Sequence, residues 1–310
     1  MRAAETKNAH DRRTAEVASV AARSSNRTMD ARPRDPCSRG AQEVRIGVVL
    51  SAGGLRGAAH AGVLRQLVRH RVPLHAIVGV SAGAVVAAYY AAVGLELEEM
   101  IQDAETFRGR HLLAHSVSVR CGSRFSAYLR SQCGVIPHRL RQLEEASFDR
   151  LSHGVSRLGI VCHDVLTRRP RYFGTGIHST ITLSEAVRAS ASIPRLFPVV
   201  SVDREGEAFS LTDGGVSDPV PLTFAQHPEI GATHIVVSDC RAEAKALPLV
   251  DTHVLWIRPL MRATGTLWSP RPGLRSTVEA GEAAVTAEAL GVITGWLTAG
   301  SPPSALTAAS

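Results

Sequence analysis

The sequence predicts an α/β fold, a three-layer α/β/α domain around a mostly parallel central sheet. A near-continuous apolar run over Arg45–Ser51 is typical of a parallel strand that is buried on both faces. A glycine-rich loop follows it, and then a segment, Ala58–His70, in which apolar residues recur on one helical face. A second apolar run, Ile77–Val80, leads into another helix-forming stretch. This strand–helix–strand–helix order is the outline of a right-handed parallel crossover.

The later elements alternate in the same way. A helix is expected over Leu95–Phe107, and residues 108–155 are interpreted as a helical excursion that covers the functional site. The capping box Thr182–Glu185 begins a helix that ends before Pro194. Further strands and a last helix are expected at Arg157–His163, Arg171–Phe173, Ala208–Thr212, His234–Ser238, His253–Ile257 and Val278–Leu297.

The composition limits the class of protein. The 310-residue chain is 45% hydrophobic and 20% charged, which are ordinary values for a globular protein with one large domain. Residues 1–45 hold ten Arg or Lys and six Asp or Glu, so +4 of the formal net charge of +7 lies there. We predict a flexible basic leader over residues 1–43, a folded domain over 44–300 and a disordered tail over 301–310. Because aromatic residues are absent from the leader, nucleic-acid binding is disfavoured.

The cysteine pattern and the apolar stretches indicate in which cellular compartment the protein is expected. The five cysteines form no Cys-x-x-Cys pair and no His/Cys cluster with zinc spacing. No secretory signal is recognisable near Met1. The uncharged stretch 76–95 is long enough to span a bilayer, but its glycines, serine and alanines fit a buried strand and helix better. We therefore expect a cytoplasmic protein, with peripheral membrane contact as a further hypothesis.

A Gly-x-Ser-x-Gly motif at Gly79–Gly83 provides the candidate nucleophile, Ser81. The motif stands between a predicted strand and a predicted helix, as in a nucleophile elbow, where a sharp turn exposes the serine hydroxyl. Gly79 and Gly83 avoid side chains that would crowd such a turn. The new helix also directs free N–H groups towards an oxygen that becomes negative during reaction.

Two further motifs supply the partners that an acyl-transfer nucleophile needs. Gly53 and Gly54 follow the first strand, and their backbone N–H groups can turn towards a substrate carbonyl oxygen. Asp213 ends a predicted strand before two glycines, so its carboxylate can approach the sheet edge where Ser81 is expected. These residues predict ester hydrolysis by a serine, with Asp213 as the base.

Together the motifs resemble those of the bacterial patatin-like phospholipases, serine lipid acyl hydrolases with a Ser-Asp dyad. The matching segments are the loop Gly53–Gly57, the elbow Gly79–Gly83, the motif Asp213–Gly215 and the stretch Ala189–Pro198. The resemblance implies an oxyanion hole at Gly53, Gly54 and Leu55, and supporting roles for Arg56, Gly57, Gly79, Gly83, Gly214 and Gly215.

The resemblance also implies the substrate class. It points to phospholipids or related glycerolipids as the lipid substrate, cleaved through Ser81 and Asp213 without a metal or an organic cofactor. One departure is Ala52, which stands where the family usually has the first of three glycines. Because its methyl group restricts positive φ, we expect a slightly narrower oxyanion loop.

Three alternatives remain open. A Ser-His-Asp triad esterase would take its histidine from His227, His234 or His253, although a structural histidine at a sheet end is the simpler interpretation of the last two. A non-catalytic lipid-binding or scaffold protein could keep the same fold. Dinucleotide binding by the glycine loop is disfavoured, because no acidic residue ends the next strand.

Four side chains have a structural and a functional interpretation. For Arg56, hydrogen bonds to loop carbonyls are favoured over binding of a lipid phosphate. Trp268 is interpreted as a partly buried loop residue in preference to an interfacial anchor. Asp218 precedes a proline and is expected to shape the turn, and His60 is expected to pack or to cap a helix.

Overall fold

The computed structural model describes residues 43–120, 131–177, 179–204, 206–242, 251–261, 264–269 and 273–300. The predicted leader and tail therefore lie outside the described residues, apart from Glu43. Within the described part, eight strands form one sheet. They are β1 (Ile46–Leu50), β2 (Ala76–Val80), β3 (Arg157–Asp164), β4 (Arg169–Gly174), β5 (Val200–Arg204), β6 (Glu207–Asp213), β7 (His234–Ser238) and β8 (Val254–Ile257).

The sheet is mixed, with a parallel centre. The order is β5–β6–β3–β2–β1–β7–β8, and β4 pairs with β3 outside this path. The strands β3, β2, β1, β7 and β8 run parallel to one another. β4 and β6 are antiparallel to β3, and β5 is antiparallel to β6. The prediction of a mostly parallel sheet is confirmed.

Helices flank the sheet. They are α1 (Ala58–Arg69), α2 (Ala82–Ala88), α3 (Leu97–Thr106), α4 (Gly109–Arg120), α5 (Ile136–Glu144), α6 (Leu183–Ser190), α7 (Leu222–Ala225), α8 (Arg275–Ala283) and α9 (Ala287–Gly300). A π-helical segment over Tyr89–Val93 extends α2. The uncharged stretch 76–95 therefore contains β2, α2 and this segment. No helix in the described ranges has the length and apolar character needed to cross a membrane.

Successive side chains of the central strands enter two different cores, as expected for strands covered on both faces. One core joins alternate residues of β1 and β2 to α1 and α6. The other joins the remaining residues of β1 and β2 to Phe224 of α7. The layer on this second face is thin, because α7 is a single turn. The arrangement is consistent with the predicted three layers.

The structure corrects the predicted last helix and adds two elements. The helix predicted over Val278–Leu297 is two helices, because Thr286 Oγ1 accepts a hydrogen bond from the Ala289 N–H at 3.2 Å and so caps a new one. β5 and α7 were not predicted. β5 is an edge strand with one buried residue, Val202, and α7 is too short for a helical period to emerge.

β2 and β6 meet end to end on the same edge of β3. β4 occupies the other edge of β3 over residues 159–164, which leaves one edge for both strands. β2 ends with Val80 beside Val161, and β6 ends with Asp213 beside the next residue, Cys162. Because β2 is parallel and β6 antiparallel to β3, their carboxyl ends point towards each other. The residues at these two ends are thereby brought together.

Candidate active site

Ser81 lies on the sharp turn between β2 and α2. Its φ is 56° and its ψ is −122°, a combination that residues with a side chain rarely adopt. The flanking glycines are required by packing, since a Cβ on Gly79 would overlap the carbonyl group of Gly83. A Cβ on Gly83 would overlap the carbonyl group of Leu50. The motif therefore forms a strained turn with no space for other side chains, as in a nucleophile elbow.

The carboxylate of Asp213 contacts the hydroxyl of Ser81. Ser81 Oγ donates a hydrogen bond to Asp213 Oδ2 at 2.7 Å. Asp213 Oδ1 accepts a second one from the Gly215 N–H at 2.8 Å. Both residues are buried, with 5% of Ser81 and 6% of Asp213 exposed. The pair is thus a hydroxyl and a proton acceptor in a largely dry environment.

Burial changes the acidity of Asp213. It raises the pKa of this carboxyl from 3.8 to about 6, while the hydrogen bonds from Ser81 and from the Gly215 amide oppose part of the rise. A carboxylate with a higher pKa is a stronger base. The site therefore holds a carboxylate that is ionised at neutral pH and is more basic than an aspartate in water.

Ser190 connects the elbow to β3, and the sequence analysis gave it no role of its own. Its Oγ accepts a hydrogen bond from the Ser81 N–H at 2.9 Å and donates one to the Val161 carbonyl at 2.6 Å. The residue is fully buried. Ser190 lies in the stretch Ala189–Pro198, which resembles a segment of the family. This position was the only indication of a role that the sequence provided. We infer that it positions Ser81 by satisfying two buried backbone groups.

The glycine loop follows β1 and lies beside the cavity that contains Ser81. Gly54 has a φ of 58°, which favours glycine. Among the described residues, the N–H groups of Gly53 and Gly54 donate to no other protein group. The Leu55 N–H, in contrast, donates to the Thr266 carbonyl at 2.8 Å. This contact argues against the assignment of Leu55 as a third oxyanion donor, because its amide is already bound.

Residues at the ends of β1 and β7 hold the glycine loop. Arg56 Nε donates to the Cys240 carbonyl at 2.9 Å, the type of backbone contact that was favoured for it. The Cys240 N–H donates to Ser51 Oγ at 2.8 Å. His60 Nε2 donates to the Ser51 carbonyl at 2.9 Å, so its Nδ1 accepts from Ser238 Oγ at 2.7 Å. Burial lowers the pKa of His60 to about 4, so this histidine is a neutral bridge and not a cap.

The other predicted supporting glycines lie where elements approach closely. A Cβ on Gly57 would overlap Ala82, and one on Gly214 would overlap the Val161 carbonyl. Ala52 is not at a positive φ, and its N–H donates to a backbone carbonyl at 3.1 Å. A Cβ on Gly215 would lie 3.0 Å from the Ala52 methyl group. The fold thus accommodates Ala52 without a positive φ, and the narrower oxyanion loop expected from its methyl group stays a prediction.

An apolar cavity of about 330 Å³ contains Ser81 in its wall. Residues of α4 and α5, the described helices of the predicted helical excursion, also line this cavity. Val85, Val86 and Tyr89 line it along α2 and its extension. From Ser81 to Tyr89 the helix rises by about 12 Å, so the cavity is elongated. Of the three charged lining residues, Arg139 and Asp103 are paired with each other at 2.6 Å, and the third is Arg188.

The histidines considered for a triad do not approach Ser81. His234 begins β7 and His253 precedes β8, at the end of the sheet opposite to the elbow, and their rings lie 4.8 Å apart. His227 lies in the segment that leads to β7, where it accepts a hydrogen bond from the Glu229 N–H at 3.3 Å. Asp218 accepts one from the Tyr172 hydroxyl at 3.0 Å. In the described ranges, no cluster of three His, Cys, Asp or Glu residues is arranged to hold a metal ion.

Comparison with known proteins identifies the family. The family described as patatin-like phospholipase matches residues 48–225, which is more than half of the chain and includes Ser81 and Asp213. The chain therefore belongs to the patatin-like phospholipase family. The resemblance inferred from the motifs is confirmed.

Individual relatives are distant. An uncharacterized NTE family protein of Mycobacterium bovis is 28% identical over 240 residues, which cover 74% of this chain and 59% of that protein. A lysophospholipase of Emericella nidulans is 29% identical over 203 residues, covering 63% of this chain and 12% of that protein. The chain thus spans less than two thirds of the length of these relatives. Among solved structures, VipD from Legionella pneumophila gives a TM-score of 0.48 with 13% identity, over 82% of this chain and 67% of that one.

Proposed function

We propose that this protein hydrolyses carboxylic ester bonds of phospholipids or related glycerolipids through a dyad of Ser81 and Asp213. The observation that carries the proposal is the 2.7 Å hydrogen bond from Ser81 Oγ to Asp213 Oδ2 at the wall of an apolar cavity. Membership of the patatin-like phospholipase family supports a lipid ester as the substrate. The activity resembles that of a phospholipase A or a lysophospholipase.

In the acylation step, Ser81 Oγ attacks the carbonyl carbon of the ester and its proton passes to Asp213 Oδ2. The carbonyl oxygen becomes an oxyanion, which the N–H groups of Gly53 and Gly54 stabilise. The ester C–O bond then breaks, and the proton on Asp213 moves to the departing alcohol oxygen. The acyl group remains on Ser81 as an ester.

In the deacylation step, a water molecule gives a proton to Asp213 and attacks the acyl carbon. The Ser81 ester bond breaks, Ser81 Oγ regains the proton, and the fatty acid leaves. One carboxylate therefore acts as base and acid in both halves of the reaction. The raised pKa of Asp213 supports this role. It reduces the difference between the pKa of this carboxyl and the pKa of the Ser81 hydroxyl, which has to lose its proton.

The cavity supports an acyl chain as the part of the substrate that is bound. Its lining along α2 is formed by Val85, Val86 and Tyr89, and α5 adds Ile136 and Leu140. An apolar chain that extends from Ser81 along α2 would gain free energy from the apolar surface that both sides bury. A water-soluble ester without such a chain would gain less.

A hydrolysis assay on a panel of phospholipids and lysophospholipids tests the proposal. Wild type is expected to release fatty acid, whereas Ser81→Ala and Asp213→Asn should each lose about 10⁴-fold in kcat. Asp218→Asn is the matched control, because it neutralises a nearby carboxylate that is bonded to Tyr172 and not to Ser81. Fatty acid release that persists in both dyad variants would contradict the mechanism. No release by wild type on any lipid would favour the non-catalytic alternative.

A further inference from the structure

α4 is apolar on two faces. Its inner face contributes Leu112 and His115 to the lining of the cavity. On its outer face, Leu113 is 48% exposed and Val117 is 44% exposed. These two residues are four positions apart, so their side chains are neighbours on one side of the helix. A helix that buries one apolar face and leaves a second in water has an unpartnered surface.

A turn over residues 264–269 continues this surface at the beginning of α4. The Gly265 N–H donates to the Trp268 carbonyl at 2.8 Å, which closes the turn. A Cβ on Gly109, the first residue of α4, would lie 2.5 Å from the Leu267 carbonyl oxygen, so the two segments are in contact. Trp268 is 66% exposed, and Leu267 is exposed too. Trp268 is therefore a loop residue, as predicted, but most of its surface is exposed.

The charged residues of α4 are of one sign. α4 carries Arg110 near its beginning and Arg120 at its end, and residues 107–120 contain no Asp or Glu. Arg120 donates to the Arg195 carbonyl at 2.7 Å, which holds the end of α4 against the segment before β5. Glu105, in the last turn of α3, is paired with Arg275 at 3.3 Å. The apolar residues thus lie between arginines.

We propose that the outer face of α4 (Arg110, Leu113, Val117 and Arg120) and the turn with Leu267 and Trp268 form a docking surface for bilayers that contain anionic phospholipids. Apolar side chains flanked by arginines are the pattern of helices that lie in a membrane interface. Tryptophan is enriched at the interface between membrane and water, and arginines are attracted to anionic headgroups. The choice of a bilayer as occupant rests on the proposed lipid substrate, and the positive charge selects an anionic one.

The docking surface is directly connected to the site. α4 separates it from the cavity by the thickness of one helix, so a docked bilayer would lie close to the cavity that contains Ser81. The turn that carries Trp268 also holds the glycine loop, through the hydrogen bond from Leu55 N–H to the Thr266 carbonyl. Membrane contact and the oxyanion loop therefore share one short segment.

Vesicle sedimentation with the full chain tests the proposal. The probes are vesicles of phosphatidylcholine alone and of phosphatidylcholine mixed with phosphatidylglycerol. Wild type should sediment with the mixed vesicles, less with the neutral ones, and less at high salt. Trp268→Ala and Leu113→Asp should each reduce sedimentation several-fold. The matched control is Val292→Asp, which places the same charge at an exposed valine of α9 and should sediment like wild type.

The outcomes separate docking from folding and from hydrolysis. Circular dichroism and the thermal midpoint show whether each variant is folded. Ser81→Ala should sediment like wild type, so docking can be tested even if the protein hydrolyses nothing. Wild-type protein that stays in the supernatant with both kinds of vesicle would overturn the proposal and favour a protein partner. Binding that survives both Trp268→Ala and Leu113→Asp would also overturn it, because another segment, such as basic residues 1–45, would then carry the binding.

Discussion

The two walls of the cavity are built in different ways. On the sheet side, β2, β3 and β6 hold Ser81 and Asp213 through short hydrogen bonds, and glycines fill every place where a side chain would overlap backbone. On the helical side, α4 has one buried residue, Ser116, whereas every residue of β2 is buried. Few buried contacts mean that little free energy opposes local opening. The proposed dyad thus lies on the rigid wall, and the proposed substrate would also meet the helical wall, which opens more easily.

This difference teaches which changes the molecule tolerates. A substitution on the sheet side disturbs several hydrogen bonds at once, because Ser190 and the Gly215 amide bind the two residues of the proposed dyad. A substitution on the helical side changes the volume or polarity of one lining position. We therefore expect substitutions on the sheet side to cause large losses of activity, and substitutions on the helical side to change the substrate preference.

The largest effect is expected for Asp213→Asn, which should abolish activity and yet stabilise the fold. Because the folded protein raises the pKa of this carboxyl from 3.8 to about 6, its ionised form is disfavoured on folding. The resulting destabilisation is absent below about pH 4 and complete above about pH 6. The variant should be more stable than wild type by up to about 3 kcal/mol at pH 8, with the difference shrinking towards pH 4. Urea unfolding at several pH values measures this, and a less stable variant at pH 8 would contradict it.

The pH dependence of hydrolysis should report the same group. Asp213 has to be ionised to accept the Ser81 proton, so kcat/KM should rise about tenfold per pH unit below pH 6 and level off above it. Initial rates on one ester between pH 4.5 and 8 provide the profile. A midpoint near 4 would show that the carboxyl is not desolvated in solution as it is in the structure.

Ser190→Ala should weaken the rigid wall without removing a reacting group. It leaves the Ser81 N–H and the Val161 carbonyl buried without their partner, which typically costs about 1–3 kcal/mol. We expect a lower unfolding midpoint and a reduced kcat with little change in KM. Ser192→Ala is the control, because this buried serine hydroxyl bonds the Arg188 carbonyl and not the elbow. Equal effects on kcat in both variants would remove the positioning role of Ser190.

The smallest effect is expected from a substitution of Tyr89, at the end of the cavity that is farthest from Ser81 along α2. Tyr89→Ala removes a side chain from the lining about 12 Å along the helix from Ser81. The preferred acyl chain should become longer, with a change of several-fold in the ratio of rates on long and short esters. Tyr89→Phe keeps the volume and should keep the preference. A chain-length profile of Tyr89→Ala that matches wild type would show that the acyl chain does not run along α2.

The same contrast explains what could be predicted from the sequence. The elbow, the glycine loop and the Asp213 motif are marked by glycines whose positions backbone contacts require, so the residues on the rigid wall were identifiable. The contacts of Ser190 and His60 were not, because they join segments more than 100 positions apart and one hydroxyl or imidazole leaves no pattern in the sequence. The hydrogen bond of the Leu55 amide could not be predicted either, because its acceptor, Thr266, lies in a loop without a motif.

The helical wall was predicted only as a region. α4 has apolar residues on two faces, so it shows no single periodic stripe from which its orientation could be derived. The break between α8 and α9 depends on one threonine, Thr286, within an Ala-rich stretch. The type of an element could be predicted from the sequence where burial imposes a regular spacing of apolar residues. Where an element is only partly buried, this spacing is absent and the prediction was less exact.

The end-to-end meeting of β2 and β6 has a consequence for biosynthesis. The two halves of the dyad are 132 positions apart, and they meet only when β6 has turned back to pair with the last residues of β3. A nascent chain that has emerged only as far as β3 contains the proposed nucleophile, Ser81, but not the proposed base, Asp213. Hydrolytic competence is therefore expected to arise at a late step of folding, so incomplete chains would leave the lipids of the cell that makes them intact.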